Sequence, residues 1–194
     1  MELLPKQEKK KNSTKAELPI IKQFASFLFL KKVKKKEFIL KAGEINEKLF
    51  FVKKGLLRVY LDYEGKEINT WFVKEDEFIL SVNSFHYNIP SHENIQALED
   101  SEVYSINKYS YNLLIKHNHK LALFAIDELY SKLCEYQYQC QSLRFMNAEK
   151  KYEYLVKDKR EIINRLSQKH IASFLGIETT YLSKIISNHK NEDI

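Results

Sequence analysis

Few residues of this chain have the chemistry to make or break bonds. Its two thiols, Cys134 and Cys140, are too few for a disulfide framework, a four-thiolate zinc site or an iron–sulfur cluster. His117 and His119 flank Asn118 with no carboxylate partner, and His86 and His92 could face water as easily as a ligand. No His-x-His with a following glutamate and a later histidine lies on the strand-like segments, and no nucleophile stands in register with a base. The sequence therefore points away from an enzyme. A different chemistry is well supplied. Ser167, Gln168 and Lys169, then Thr179, Thr180, Tyr181, Lys184 and Ser187, offer hydroxyl, amide and ammonium groups on two short helical runs. Groups of this kind hold anionic oxygens and read the edges of bases without reacting with them.

Two such sets act together only if the chain reverses sharply between them. In "IASFLGIETTYLSKI" the small Ala172 suits a close helix approach, and Gly176, four residues on, suits the left-handed turn that ends a helix. Ile171, Leu175, Ile177, Leu182 and Ile185 supply the apolar faces that lock the pair. Ser167 is a good N-cap for the first helix. Glu178 holds the cap place of the second helix and is a poorer cap, which leaves Thr179 as the alternative.

The elements that carry this unit follow from texture. With 194 residues, 44% of them hydrophobic, and a net charge of +6, the chain is globular and favours polyanionic partners. The apolar-rich stretch "PIIKQFASFLFL" is too short and too broken for a membrane span, and the lysine-rich start has no signal-peptide core, so a cytoplasmic protein is expected. Residues 1–17 read as a basic flexible arm, followed after Pro19 by a short helix, "IIKQFASFLFL". Within 18–119, short apolar runs between turn signals ("EFIL", "KLFFV", "LLRVYLDY", "EINTWFV", "NIQALED", "EVYSI") suggest an antiparallel sandwich or barrel. In "LLRVYLDY", Leu57, Val59, Leu61 and Tyr63 alternate with Arg58, Tyr60 and Asp62, predicting one buried and one wetter face. Gly65 is placed to close a hairpin.

Residues 120–146 contain no proline or glycine and read as one long helix. Ala122, Ile126, Leu129, Leu133, Tyr136, Cys140 and Leu143 recur at alternating spacings of 4 and 3, a heptad seam that suits the same helix of a second subunit. Leu123, Phe124, Tyr130 and Cys134 are left to pack within the chain. Residues 147–194 read as three compact helices. The fold class is thus α+β: an antiparallel β region, a long dimerisation helix and a small all-α C-terminal domain.

In this order the parts resemble the Crp/Fnr family of bacterial transcription regulators over about residues 20–190. "FILKAGEINEKLFFVKKGLLRVYLDYEGKEI" and "ENIQALEDSEVYSINK" look like its cyclic-nucleotide-binding-type, jelly-roll-like double-stranded β-roll, and "SQKHIASFLGIETTYLSKI" like its helix-turn-helix. The resemblance implies a homodimer on double-stranded DNA, with RNA polymerase as a further partner. Thr179, Thr180 and Lys184 would face bases, and Ser167, Gln168, Lys169 and Ser187 phosphates. With nine residues after Ile185, no two-stranded wing is expected. The family's effector pocket falls on Phe78, Ser81, Val82, Ser91 and His92. The positions of its ribose-binding glutamate and phosphate-binding arginine are Ser81 and Ser91 or His92, and no arginine lies between Arg58 and Arg144. A buried phosphate without a guanidinium loses its strongest contact, so cyclic AMP is not the expected ligand. An unknown small-molecule effector or an unliganded roll both remain open. The alternative function is a small-molecule-binding or protein-interaction module that does not bind DNA.

Overall fold

The computed structural model describes residues 25–192. The basic arm proposed for residues 1–17 lies outside them. Eight strands form two antiparallel sheets: β1 (Phe29–Val33), β8 (Ser101–Asn107), β3 (Lys48–Lys54) and β6 (Phe78–Ile79) in one, and β2 (Phe38–Leu40), β7 (Glu93–Ala97), β4 (Leu57–Tyr63) and β5 (Lys66–Val73) in the other. Inward residues of both, among them Val33, Phe50, Val52, Leu57, Val59, Trp71, Val73, Ile95 and Val103, make one core. The β4–β5 hairpin turns on Glu64 and Gly65, with φ of 53° and 76°, the mirror-image turn whose twist matches its strands. At the β3–β4 turn Gly55 has φ 108°, and a Cβ there would collide with Ser101.

Three departures from expectation have physical causes. The helix expected over residues 20–30 is reduced, within the described part, to a 3-10 turn at Ala25–Phe27, and Phe29–Val33 is a strand instead. Pairing with β8 across the sheet outweighs its local helical pattern. The outer face of β4 is not wet: Arg58 and Tyr60 are buried with Leu57 and Val59, because helices from the C-terminus cover the sheet. β6, two residues long, is too short to leave a pattern.

The helices are α1 (Val82–Tyr87), α2 (Lys108–His117), α3 (His119–Phe145), α4 (Ala148–Asp158), α5 (Arg160–Ile163), α6 (Gln168–Leu175) and α7 (Thr179–Glu192). Where three helices were expected after residue 147, the chain forms four, α5 being a single turn. Asn107, Asn118 and Asn147 cap α2, α3 and α4, each side chain accepting a backbone N–H three residues on. His117 and His119 therefore flank a helix cap. Among the described residues no group of three or more His, Cys, Asp or Glu is placed to hold a metal, and no helix is long and apolar enough to cross a membrane.

Candidate nucleic-acid interface

Gly176 ends α6 with φ 71° and ψ 34°. The Ile177 N–H reaches back to the Ala172 carbonyl at 3.0 Å and the Gly176 N–H to Ser173 at 3.3 Å, the paired bonds of a Schellman turn. Ile171, Ala172, Leu175, Leu182 and Ile185 are buried together, with Ile177 packed on them. Ser167 caps α6, accepting from the His170 N–H at 3.3 Å. α7 begins at Thr179, with the Tyr181 and Leu182 N–H groups bonded to the Glu178 carbonyl. Thr179 is thus the first helical residue and Glu178 holds the cap place, against the alternative that Thr179 caps.

Locked this way, the pair turns one polar surface outward. Ser167, Gln168 and Lys169 at the start of α6 and Thr179, Thr180, Tyr181, Lys184 and Ser187 on α7 are all exposed. Ser183, between two buried anchors, ties the helices together: its hydroxyl lies 3.0 Å from Gln168 Oε1 and 3.0 Å from the Thr179 carbonyl. Tyr181 is drawn back toward α4, donating to Glu149 Oε1 at 3.1 Å, and that hydrogen bond raises its phenol pKa. The Ser187 hydroxyl bonds to the Ser183 carbonyl within its own helix.

This unit is docked on its own roll. Phe174 packs on Phe72, and Leu56, Phe72 and Ile162 form a small shared core. Arg165, just before α6, forks onto Glu75 at 2.8 and 2.9 Å and reaches Glu99 at 2.6 Å. Burial alone would raise the Glu75 carboxyl, but Arg165 and the Gly55 N–H hold it at about 2. Lys74 pairs with Glu161 at 3.0 Å. None of these cross-links is visible in sequence, since the partners stand 66 to 102 residues apart in the chain.

The long helix presents the proposed seam outward. Ile126, Leu129, Leu133, Tyr136, Cys140 and Leu143 are exposed, Ala122 half-buried. Of the four residues expected to pack within the chain, Phe124 does, against Phe78, whereas Leu123, Tyr130 and Cys134 are exposed. Leu121, Tyr136 and Gln139 also face the chain: Leu121 is buried, Tyr136 stacks on Trp71 at 4.9 Å, and Gln139 donates to the Thr70 carbonyl at 3.2 Å.

At the proposed effector positions the structure brings two residues together and leaves three apart. Ser81 and Ser91 are buried, their hydroxyl oxygens 3.0 Å apart. Val82 and His92 are exposed, and Phe78 packs on Phe51 at 4.9 Å. Two further residues complete the polar cluster. Asn46 Oδ1 accepts the Ser81 N–H at 2.7 Å, and Ser84 Oγ accepts the Asn46 N–H at 2.8 Å and donates to the Ile89 carbonyl at 2.6 Å. Asn46 and Ser84 carry no charge pattern that could have marked them.

Comparison with known proteins agrees with this architecture. Residues 30–118 match the model of the cyclic nucleotide-binding domain. No curated protein matches the sequence. The fold is similar to that of a CooA double mutant from Carboxydothermus hydrogenoformans (TM-score 0.75, 19% identity, 90% of this chain and 84% of that one). It is also similar to the c-di-GMP-responsive global regulator CLP of Xanthomonas campestris (0.71, 13%, 91% and 93%) and to a crp/fnr-family regulator from Eubacterium rectale (0.67, 19%, 88% and 82%). Residues 30–118 thus resemble a cyclic nucleotide-binding domain, and the chain as a whole shares its fold with these solved regulators, one of them of the crp/fnr family.

Proposed function

We propose that the protein is a homodimeric, sequence-specific DNA-binding regulator of transcription, whose roll does not take cyclic AMP. The observation that carries the DNA reading is the exposed polar surface shared by α6 and α7 beyond the Gly176 turn, backed by a buried apolar lock. Ser167, Gln168 and Lys169 suit phosphates, and Thr179, Thr180 and Lys184 suit base edges in the major groove. The exposed apolar seam of α3 supports a second copy as partner, which would set two recognition helices about 34 Å apart on a palindromic site. Neutral hydroxyls at Ser81 and Ser91, bonded to each other, give a cyclic phosphate no compensating cation.

Selection of bound fragments from a genomic DNA pool at low salt tests this. Enrichment of palindromic sites is expected; absence of any DNA affinity at low salt, where phosphate contacts are strongest, would overturn it. Titration with cyclic AMP in a calorimeter is expected to give no binding heat.

A further inference from the structure

β5 is the outer strand of its sheet, so its free backbone groups need partners from elsewhere. One hydroxyl of α6 serves two of them: Ser173 Oγ accepts the Asn69 N–H at 3.0 Å and donates to the Glu67 carbonyl at 2.7 Å. Beside it the Asn69 side chain, 3% exposed, is caught between a cation and an imidazole. Its Oδ1 faces Arg58 Nη1 at 3.4 Å. Arg58 is itself buried, 2.8 Å from the Glu67 carboxylate, with Nε and Nη2 donating to Gln96 Oε1 at 2.9 and 2.6 Å. A guanidinium only donates, so it fixes the amide with Oδ1 toward Arg58 and Nδ2 toward α6. Nδ2 then lies 3.4 Å from His170 Nδ1 and 3.3 Å from the His170 carbonyl oxygen. The amide nitrogen cannot accept. His170 Nδ1 must therefore accept, which requires a neutral imidazole with its proton on Nε2.

We propose that this contact is a proton-operated latch: neutral His170 holds the first helix of the helix-turn-helix to the sensor sheet, and protonated His170 releases it. Protonation puts an N–H on Nδ1, aimed at a donor that Arg58 keeps from turning round. The charged groups around the ring are Arg58 from β4, Glu67 from β5 and Lys169 from α6 itself. Arg58 and Lys169 oppose a further positive charge, and Glu67, which favours one, is already engaged by Arg58. Burial first, and then Arg58, hold the imidazole below its ordinary pKa. Docking is therefore complete above the free-chain imidazole pKa and weakens as pH falls through the lower docked value. Arg165 keeps Glu75 ionised throughout this range, so the slackening is confined to the contact of α6 with β5. Released there, the helix pair keeps its recognition surface but loses its set position relative to the roll. The effect on target binding rests on the dimeric regulator reading; the latch itself does not.

Hydrogen exchange at the Asn69 backbone amide, whose N–H is given to Ser173, reads docking directly in the full-length protein. Between about pH 7.5 and about pH 5.5, protection corrected for the intrinsic exchange rate should fall by up to about tenfold, the limit set by pH 5.5 lying about one unit below the free imidazole value. His170→Asn, which keeps an acceptor facing Asn69 and cannot titrate, should stay flat and match the wild type at the higher pH. Unchanged wild-type protection, or a parallel fall in His170→Asn, overturns the proposal. Should that variant fold poorly, the wild-type imidazole resonances decide. A His170 ring that titrates below the ordinary imidazole value, with the Asn69 side-chain amide shifting on the same curve, sustains the latch; a ring that titrates at that value and leaves Asn69 unmoved removes it. Lack of DNA binding at every pH would sink the regulator reading and leave this result untouched.

Discussion

Lys184 projects from α7 between two buried anchors, Leu182 and Ile185, so its ammonium has only the outward direction. If it reads a guanine edge, Lys184→Ala should weaken specific binding by about 1–3 kcal/mol and spare binding to random duplex. Equal losses on both would make it a phosphate contact. Two glycines differ in what a side chain would meet. Gly55→Ala forces a Cβ into Ser101 at a left-handed backbone, whereas Gly176→Ala meets nothing within contact distance and bears the backbone strain alone. Denaturant midpoints should rank Gly55→Ala well below Gly176→Ala, whose loss should be about 1–2 kcal/mol. At this scale the Gly176 turn was legible because alanine, glycine and five apolar residues fall within fifteen consecutive positions, Ile171–Ile185. Arg58, Asn69 and Arg165 were not, because each acquires its meaning from partners far along the chain.

α3 is an element whose stripe lies outward as its spacing predicts, except that Tyr136 also stacks on the roll, and whose inward face keeps only Phe124 of the four residues expected there. Its seam is local information, a spacing along one helix, and so could be read directly. What faces the roll is set by the roll's surface, which is why Tyr136 and Gln139 pack inward where Leu123 and Tyr130 were expected to. Leu133→Glu places a carboxylate in the middle of the exposed stripe and touches no buried contact. Sedimentation should then give a monomer with unchanged helix content, and an intact dimer would remove the seam from the assembly. β1 shows the opposite limit: its first two residues, Phe29 and Leu30, read as the end of a helix, and only pairing to Ser105 and Tyr104 makes them a strand.

Across the whole molecule, acid should act on two cross-domain contacts in separate ranges. The Glu75 carboxyl is lowered, so its contribution is complete above the ordinary carboxylate value of 4.5 and is lost as pH falls toward about 2. Thermal midpoints should hold near neutrality and drop through that acid window. Glu75→Gln should be less stable at neutral pH and show a shallower acid drop. A curve parallel to wild type would assign the acid loss to other carboxylates. The order of strand region, long helix and helical pair was readable from texture, and the roll only through the family resemblance, but their docking was not, since it is made by sheet faces and turns that no local pattern marks.

Trp71, the sole tryptophan of the chain, sits where all three parts meet. Its ring stacks on Tyr136 of α3 and lies beneath two ammonium groups, Lys132 at 5.4 Å and Lys159 at 4.7 Å, the latter from the segment joining α4 to α5. Indole emission is therefore a built-in optical gauge, needing no label: any shift of the roll, the helix or the C-terminal lobe against the others alters the brightness of a single chromophore.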